Sequence, residues 1–306
     1  VEGKSGDSHP LTDLGKGLYI APGLALNAAQ RYRLHIRTNA GKEYASDYVE
    51  LKTSPPMDSI NWINSNAGFQ IYVNTHDPQN ASRYYRWEFT ETWEFHAVYY
   101  SLYQYQNGMV VPRLFNNIFT CWQTNTPSNI LLGSSAKLAQ DVIYQFPLIQ
   151  LAPNTWKISV RYSMLLKQYV LTEDAYNFWQ QLQKNSEQVG SIFSPQPSES
   201  RGNIRNLADS GEQVIGYVSA GTMRQQRIYI TPDQIPGWRL SFYSDGCEEV
   251  SIPNHPDSLK EHLSGDGNLP LDQAPAPPGA IRWWISSRYC ADCTLTGTNK
   301  KPYFWP

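Results

Sequence analysis

The stretch YYRWEFTETWEF, residues 84–95, decides the fold. Taken two at a time, it places Tyr85, Trp87, Phe89, Glu91, Trp93 and Phe95 on one side and Tyr84, Arg86, Glu88, Thr90, Thr92 and Glu94 on the other. Side chains alternate across a strand, so this is a β-strand with one aromatic face. Glu91 shares that face. An ionised carboxylate in an apolar layer is costly unless it is paired or hydrogen-bonded, so the position is either a structural ion pair or a site. The basic residues of the strand-like run 157–171 supply Arg161 or Lys167 as its expected partner.

The rest of the chain agrees with a β-rich protein. Its 306 residues suffice for one large core or two smaller ones, and 10 Trp, 20 Tyr and 10 Phe raise the aromatic share to 13%, which favours strands. Twenty-five basic residues against 27 acidic ones leave a net charge of −2, without the basic stripe that nucleic acid requires. No apolar run is long enough for a membrane-spanning helix. VEGKSGDSHP at the start has neither a charged leader nor an apolar signal core, as in a mature or trimmed product.

Three strands fit before the prolines at 55 and 56: GLYIA at 17–21, RYRLHIR at 31–37 with Tyr32, Leu34 and Ile36 on one face, and EYASDYVEL after a TNAGK turn. Three are too few to close a sandwich, so this unit either borrows strands or lacks its first ones. Two domains are expected, residues 1–56 and 57–306. In the second, FQIYVN and KISVRYSMLLKQYVL read as strands, the latter continuous and bent, with Lys157, Arg161 and Lys167 opposite its apolar face. Thr172, followed by Glu173 and Asp174, caps a helix over 173–189. VIGYVSA, QRIYIT, WRLSFY and IRWWISS return to strand-like runs, and GDGNLPLDQAPAPPGA, with four prolines in sixteen residues, reads as a loop.

Catalytic templates find little. HExxH and GxSxG are absent, and the SSAK of 134–137 lacks the companion motifs of an SxxK enzyme. Glu88 and Glu94 lie on the face opposite Glu91, so no catalytic carboxylate pair follows from the strand itself. Asp266, Asn268 and Asp272 offer oxygen donors, but Pro270 spoils the calcium-loop spacing. No metal or cofactor is expected. Cys121, Cys247, Cys290 and Cys293 allow three connectivities if all four pair, and structural disulfides are the preferred reading over free thiols. Trp238, Trp283 and Trp284 are candidates for an exposed binding rim, although adjacent strand residues face opposite ways and one of the last two belongs to the core.

RYRLHIRTNAGKEYASDYVEL, PPMDSINW, RYYRWEFTETWEF, the Cys121-Trp122 pair, YSMLLKQYVLTEDAYNFWQQLQ, VGSIFSPQPSESRGNIRN, VIGYVSAG and CADCTLTGTNKKPYFWP occur in that order. Together they resemble the Bacteroidota outer-membrane lipoproteins catalogued as domain of unknown function 4249. The resemblance makes Trp87, Glu91, Trp93 and Arg161 signature positions and implies no catalytic residue. It implies an N-terminal immunoglobulin-like or carboxypeptidase-regulatory-like β-sandwich, a lipid anchor at a cysteine that this chain does not contain, and a cell-surface position on the outer membrane beside TonB-dependent β-barrel receptors. Asp58-Ser59-Ile60 and Asp257-Ser258-Leu259 are similar to the O-glycosylation acceptor pattern of that phylum, with Ser59 and Ser258 as acceptors.

The expected fold is thus mainly β, a truncated sandwich followed by a larger β-rich domain carrying one main helix. The expected function is non-enzymatic binding of an outer-membrane β-barrel complex. Capture of a glycan or peptide for an adjacent importer, and a hydrolase built on Glu91, are the alternatives.

Overall fold

The computed structural model describes residues 1–187, 202–239 and 246–306. It is mainly β, with 42% strand against 12% helix. At its centre lies Tyr84–His96, thirteen residues long. This strand pairs antiparallel with Arg161–Val170 on one side and with Thr120–Asn125 and Leu131–Ser134 end to end on the other. Met223–Ile230 extends the sheet beyond Arg161–Val170. A second sheet, Met57–Ser65, Gly68–His76 and Val142–Leu151, is antiparallel throughout and bulged between Ile143 and Phe146.

The period-two pattern determines how the sheets meet. Tyr85, Trp87, Phe89, Trp93 and Phe95 point inward and are buried together with Phe69, Ile71 and Val73 of the second sheet and Tyr162, Met164 and Leu166 of the neighbouring strand. Trp87 stacks on Phe146, with ring centroids 4.4 Å apart. Gly133 opposes Tyr85 in register, and a Cβ there would stand 2.8 Å from the Trp87 ring, so only glycine lets the indole lie flat against that strand. Trp87 Nε1 donates to Gln168 Oε1 at 3.0 Å, and Gln168 Nε2 donates to the Pro55 carbonyl and to Thr75 Oγ1. This buried amide thus bonds three groups of the dry core, of which Thr75 Oγ1 also donates to the Pro56 carbonyl.

The outer face of the central sheet is covered at both ends. The helix Glu173–Glu187 begins with Thr172 Oγ1 accepting from the Ala175 amide, sets Glu173 and Asp174 in its first turn, and lays Trp179 over the Arg86 guanidinium at 4.0 Å. The last two residues of the expected 173–189 helix lie outside the described residues. At the other end Trp305 Nε1 donates to Glu94 Oε2 at 2.6 Å, and Phe304 lies under Arg227.

Two of the strands before residue 56 find partners far along the chain, whereas Tyr19–Ile20 pairs only with Thr12–Asp13 among the described residues. Glu2–Gly3, Arg31–Arg33, Val49–Lys52 and Ala220–Gly221 form one small sheet, and His35–Arg37, Glu43–Ser46 and Ile204–Asn206 form another. RYRLHIR is therefore not one strand. It changes sheets at Leu34, whose amide donates to Ser46 Oγ, so Tyr32 is buried while Ile36 is exposed.

Other expectations also need correction. The strand expected from Lys157 begins at Arg161, because Trp156–Ile158 forms a 3-10 turn. VIGYVSA contributes only its final alanine to a strand, and residues 240–243 of WRLSFY lie outside the described residues. The proline-rich 265–280 segment contains the strand Asn268–Ala274. It is tolerated because it lies at a sheet edge and its pairing with Arg282–Ser287 slips between Pro270 and Gln273. The helix Pro256–Leu263 was missed despite proline in its first turn, a favoured start. It packs Leu259 and Leu263 against Ile252, Trp283 and Ile285 in a second small core.

Candidate functional site

Glu91 is fully buried, and its neighbours explain why it stays there. Its cross-strand partners are Asn125 and Met164. Asn125 Nδ2 donates to Oε1 at 2.8 Å, Lys157 Nζ meets the same oxygen at 2.7 Å, and the Tyr162 hydroxyl donates to Oε2 at 3.0 Å. Each carboxylate oxygen is thus satisfied, which is the condition for a charge to persist in a core. Burial first, and then the Glu91 charge, push the Tyr162 phenol well above its ordinary value, so its proton remains on oxygen and serves as the donor.

Neither Arg161 nor Lys167 is the partner, because both lie on the outward face, opposite Glu94 and Glu88 respectively. Lys157 reaches inward because the 3-10 turn breaks the alternation that would have pointed it outward. Its ammonium also lies 4.4 Å from the Trp93 ring centroid, and Trp156 meets Trp93 and Phe95 edge-on. The side chains of Lys157 and Glu91 are 24% and 1% exposed, so the pair is reached from its cation end only. A hydrolase built on Glu91 does not fit this geometry, since a general acid or base must touch its substrate. Among the described residues no three His, Cys, Asp or Glu side chains converge as metal ligands.

The tryptophans do not form the expected exposed rim. Trp283 belongs to the small core, with its N–H donated to Asn254. Trp238 packs against Phe69, and Trp284 is half-buried. Ser59 is exposed, but on the edge strand Met57–Ser65 rather than in a linker, and its hydroxyl accepts from Asn74 Nδ2 at 3.0 Å. Ser258 is half-buried within the helix Pro256–Leu263.

The cysteines form two disulfides. Cys121 pairs with Cys293, and Cys247 with Cys290. The CADC segment is therefore not a redox pair, because its two cysteines are bonded to different distant strands and loops. One of these bonds fastens the C-terminal part to the central sheet, in which Cys121 lies opposite Phe95.

The surface feature that sequence reasoning missed lies beside this staple. Residues Tyr100–Leu102 and Arg113–Phe119 line a cleft of about 360 Å³. Phe115 is 96% exposed and Leu114 74%, and Tyr100 and Leu102 are also exposed. The loop is held in place: Asn117 Oδ1 accepts from the Phe119 amide, Asn299 Nδ2 donates to the Asn117 carbonyl, and the Cys293 amide donates to the Ile118 carbonyl. Arg113 sits at the cleft with Nη2 donating to the Tyr103 carbonyl at 3.1 Å and to Ser101 Oγ at 3.3 Å, while its buried Nε makes no hydrogen bond. The signal was present in RLFNN, an arginine and two large apolar residues placed directly before two turn-forming asparagines.

Fold and site together define a disulfide-stapled, mainly β protein whose buried carboxylate is structural and whose cleft-side loop holds Leu114 and Phe115 out to solvent. The family model described as Domain of unknown function (DUF4249) matches residues 1–227, and the chain belongs to that family. No curated protein and no solved structure matches the chain.

Proposed function

We propose that the protein is a non-enzymatic accessory lipoprotein of the cell surface that binds a β-barrel complex of the outer membrane, such as a TonB-dependent transporter. Family resemblance supplies the setting, and two disulfides are in keeping with an oxidising compartment. The observation that carries the binding role is the contrast between the buried carboxylate and the exposed apolar loop. Glu91 is spent on internal bonds, whereas Leu114 and Phe115 are held out to solvent by an ordered loop and border one cleft together with the exposed Tyr100 and Leu102, a grouping of apolar surface that suits a partner. Capture of a glycan by a tryptophan rim has no comparable support, since Trp283 is buried and Trp238 and Trp284 are half-buried.

The test is extraction of the native protein from membranes in mild detergent, followed by identification of what accompanies it. A β-barrel protein at comparable stoichiometry is the expected outcome. Recovery of the chain alone, or in the soluble fraction of unlysed cells, overturns the reading.

A further inference from the structure

We infer that the cleft beside Phe115 receives a carboxylate-bearing, apolar segment of a protein partner, with the carboxylate on Arg113 and the apolar side chain against Leu102, Leu114 and Phe115. This rests on the protein-binding reading above and adds the chemistry of the recognised segment.

Charge complementarity carries the inference. Arg113 is half-buried, and no carboxylate lies within ion-pair distance of it among the described residues. The acid that acts on it through space, Asp292, is held by Arg288 at 2.9 Å, and Arg288 itself opposes the Arg113 charge. Burial lowers the Arg113 pKa from its ordinary value, as desolvation of an unpaired cation must. All of its side-chain hydrogen bonds run through Nη2, to a carbonyl and a hydroxyl, both uncharged. With Nε buried and Nη2 occupied, Nη1 is the donor left to the apolar-rimmed cleft, and a carboxylate answers both that donor and the unpaired charge.

The rim fits the same occupant. Leu114 and Phe115 project while the cleft beside them recedes, so a partner segment can exchange apolar contact in both directions, the arrangement of an interface hot spot ringed by water-excluding neighbours. Ser101 hardly competes for the incoming carboxylate, since its hydroxyl is buried and donates to the Pro270 carbonyl at 2.7 Å. Lys300 and Lys301, both exposed, follow Asn299, which is bonded to the cleft loop, and favour an acidic approach.

The probes are 3-phenylpropionate and its uncharged amide, titrated separately into the full chain with both disulfides intact and followed by chemical-shift changes. The acid is expected to bind at least tenfold more tightly than the amide, shifting resonances of Arg113 to Phe119. Arg113→Gln, which retains a donor toward Tyr103, should abolish the acid-over-amide preference. Phe115→Ser, at a position too exposed to affect folding, should weaken acid and amide by a similar factor. Equal affinity for the two probes, binding of neither, or a preference that survives Arg113→Gln overturns the inference. Co-purification of a barrel protein equally by the native chain and by Arg113→Gln would also overturn it while leaving the accessory role intact. Loss of co-purification in the native chain with the acid preference retained would do the reverse.

Discussion

Glu91→Gln removes one charge from the core and almost no volume. In the native protein Oε1 receives both Lys157 Nζ and Asn125 Nδ2, and Oε2 receives the Tyr162 hydroxyl. A glutamine can keep its carbonyl toward Lys157 and Asn125 and turn its amide toward Tyr162, whose oxygen can accept. What is lost is the charge on the acceptor, leaving the Lys157 ammonium, 24% exposed, with the Trp93 face as its remaining electrostatic partner. Hydrogen bonds to charged groups contribute about 1.5–3 kcal/mol, and breaking a buried pair costs about 3–5 kcal/mol. Because the cation end reaches solvent, the expected loss is at the low end, about 2–3 kcal/mol.

The assay is urea unfolding with the disulfides intact, read as a change in midpoint at unchanged slope. Glu91→Ala, which also opens a cavity, should cost more than Glu91→Gln. The double variant with Lys157→Met isolates the pair, and a coupling of about 1 kcal/mol or more is expected from residues sharing one network. A coupling near zero, with Glu91→Gln as stable as the native chain, would refute the account of Glu91 as an ion pair that holds the aromatic layer.

Gln168→Leu should destabilise by about 1–3 kcal/mol in the same assay, because it strands the Trp87 N–H and the Pro55 carbonyl without filling a void, while the Thr75 hydroxyl keeps its bond to the Pro56 carbonyl. Serine replacement of the Cys121–Cys293 pair, separated by 172 residues, should lower stability more than replacement of the Cys247–Cys290 pair, separated by 43, with loop-closure upper bounds of about 5 and 4 kcal/mol. Calorimetry of the two double variants decides the order. Hydrogen bonds from Tyr44, Lys42 and Asn206 hold the Glu212 carboxyl at about 2, below its ordinary 4.5. A folded pKa below the unfolded one favours the folded state above the unfolded value and loses that support as pH falls through the folded one. The tie between residues 206–212 and the 37–43 turn should therefore persist at pH 4 and open near pH 2. Tyr44→Phe should move the Glu212 titration upward, as followed by the side-chain carboxyl resonance.

Sequence by itself determined the features that local periodicity controls. Strict alternation over 84–95 specifies a strand and which side chains it buries, Glu91 included, since the direction of a side chain on a strand is a property of the strand alone. Thr172 with the acids after it specifies where the helix begins, because a cap acts within one turn. Tertiary structure decided whatever depends on meeting a distant segment. Lys157 replaced Arg161 and Lys167 at Glu91 because a single 3-10 turn rotated it inward, and the alternation of the strand that follows carries no record of that turn. Four cysteines admit three pairings, and the short Arg288–Leu295 segment settled the matter by presenting Cys290 and Cys293 to different neighbours. Glu43–Ser46 and Val49–Lys52 waited for Ile204–Asn206 and Ala220–Gly221, about 160–170 residues away, because a strand's hydrogen bonds name no particular partner. Arg113 stands unpaired for the same kind of reason: whether a cation has a counter-charge depends on the groups that folding brings near it, and none of the described carboxylates comes within ion-pair distance.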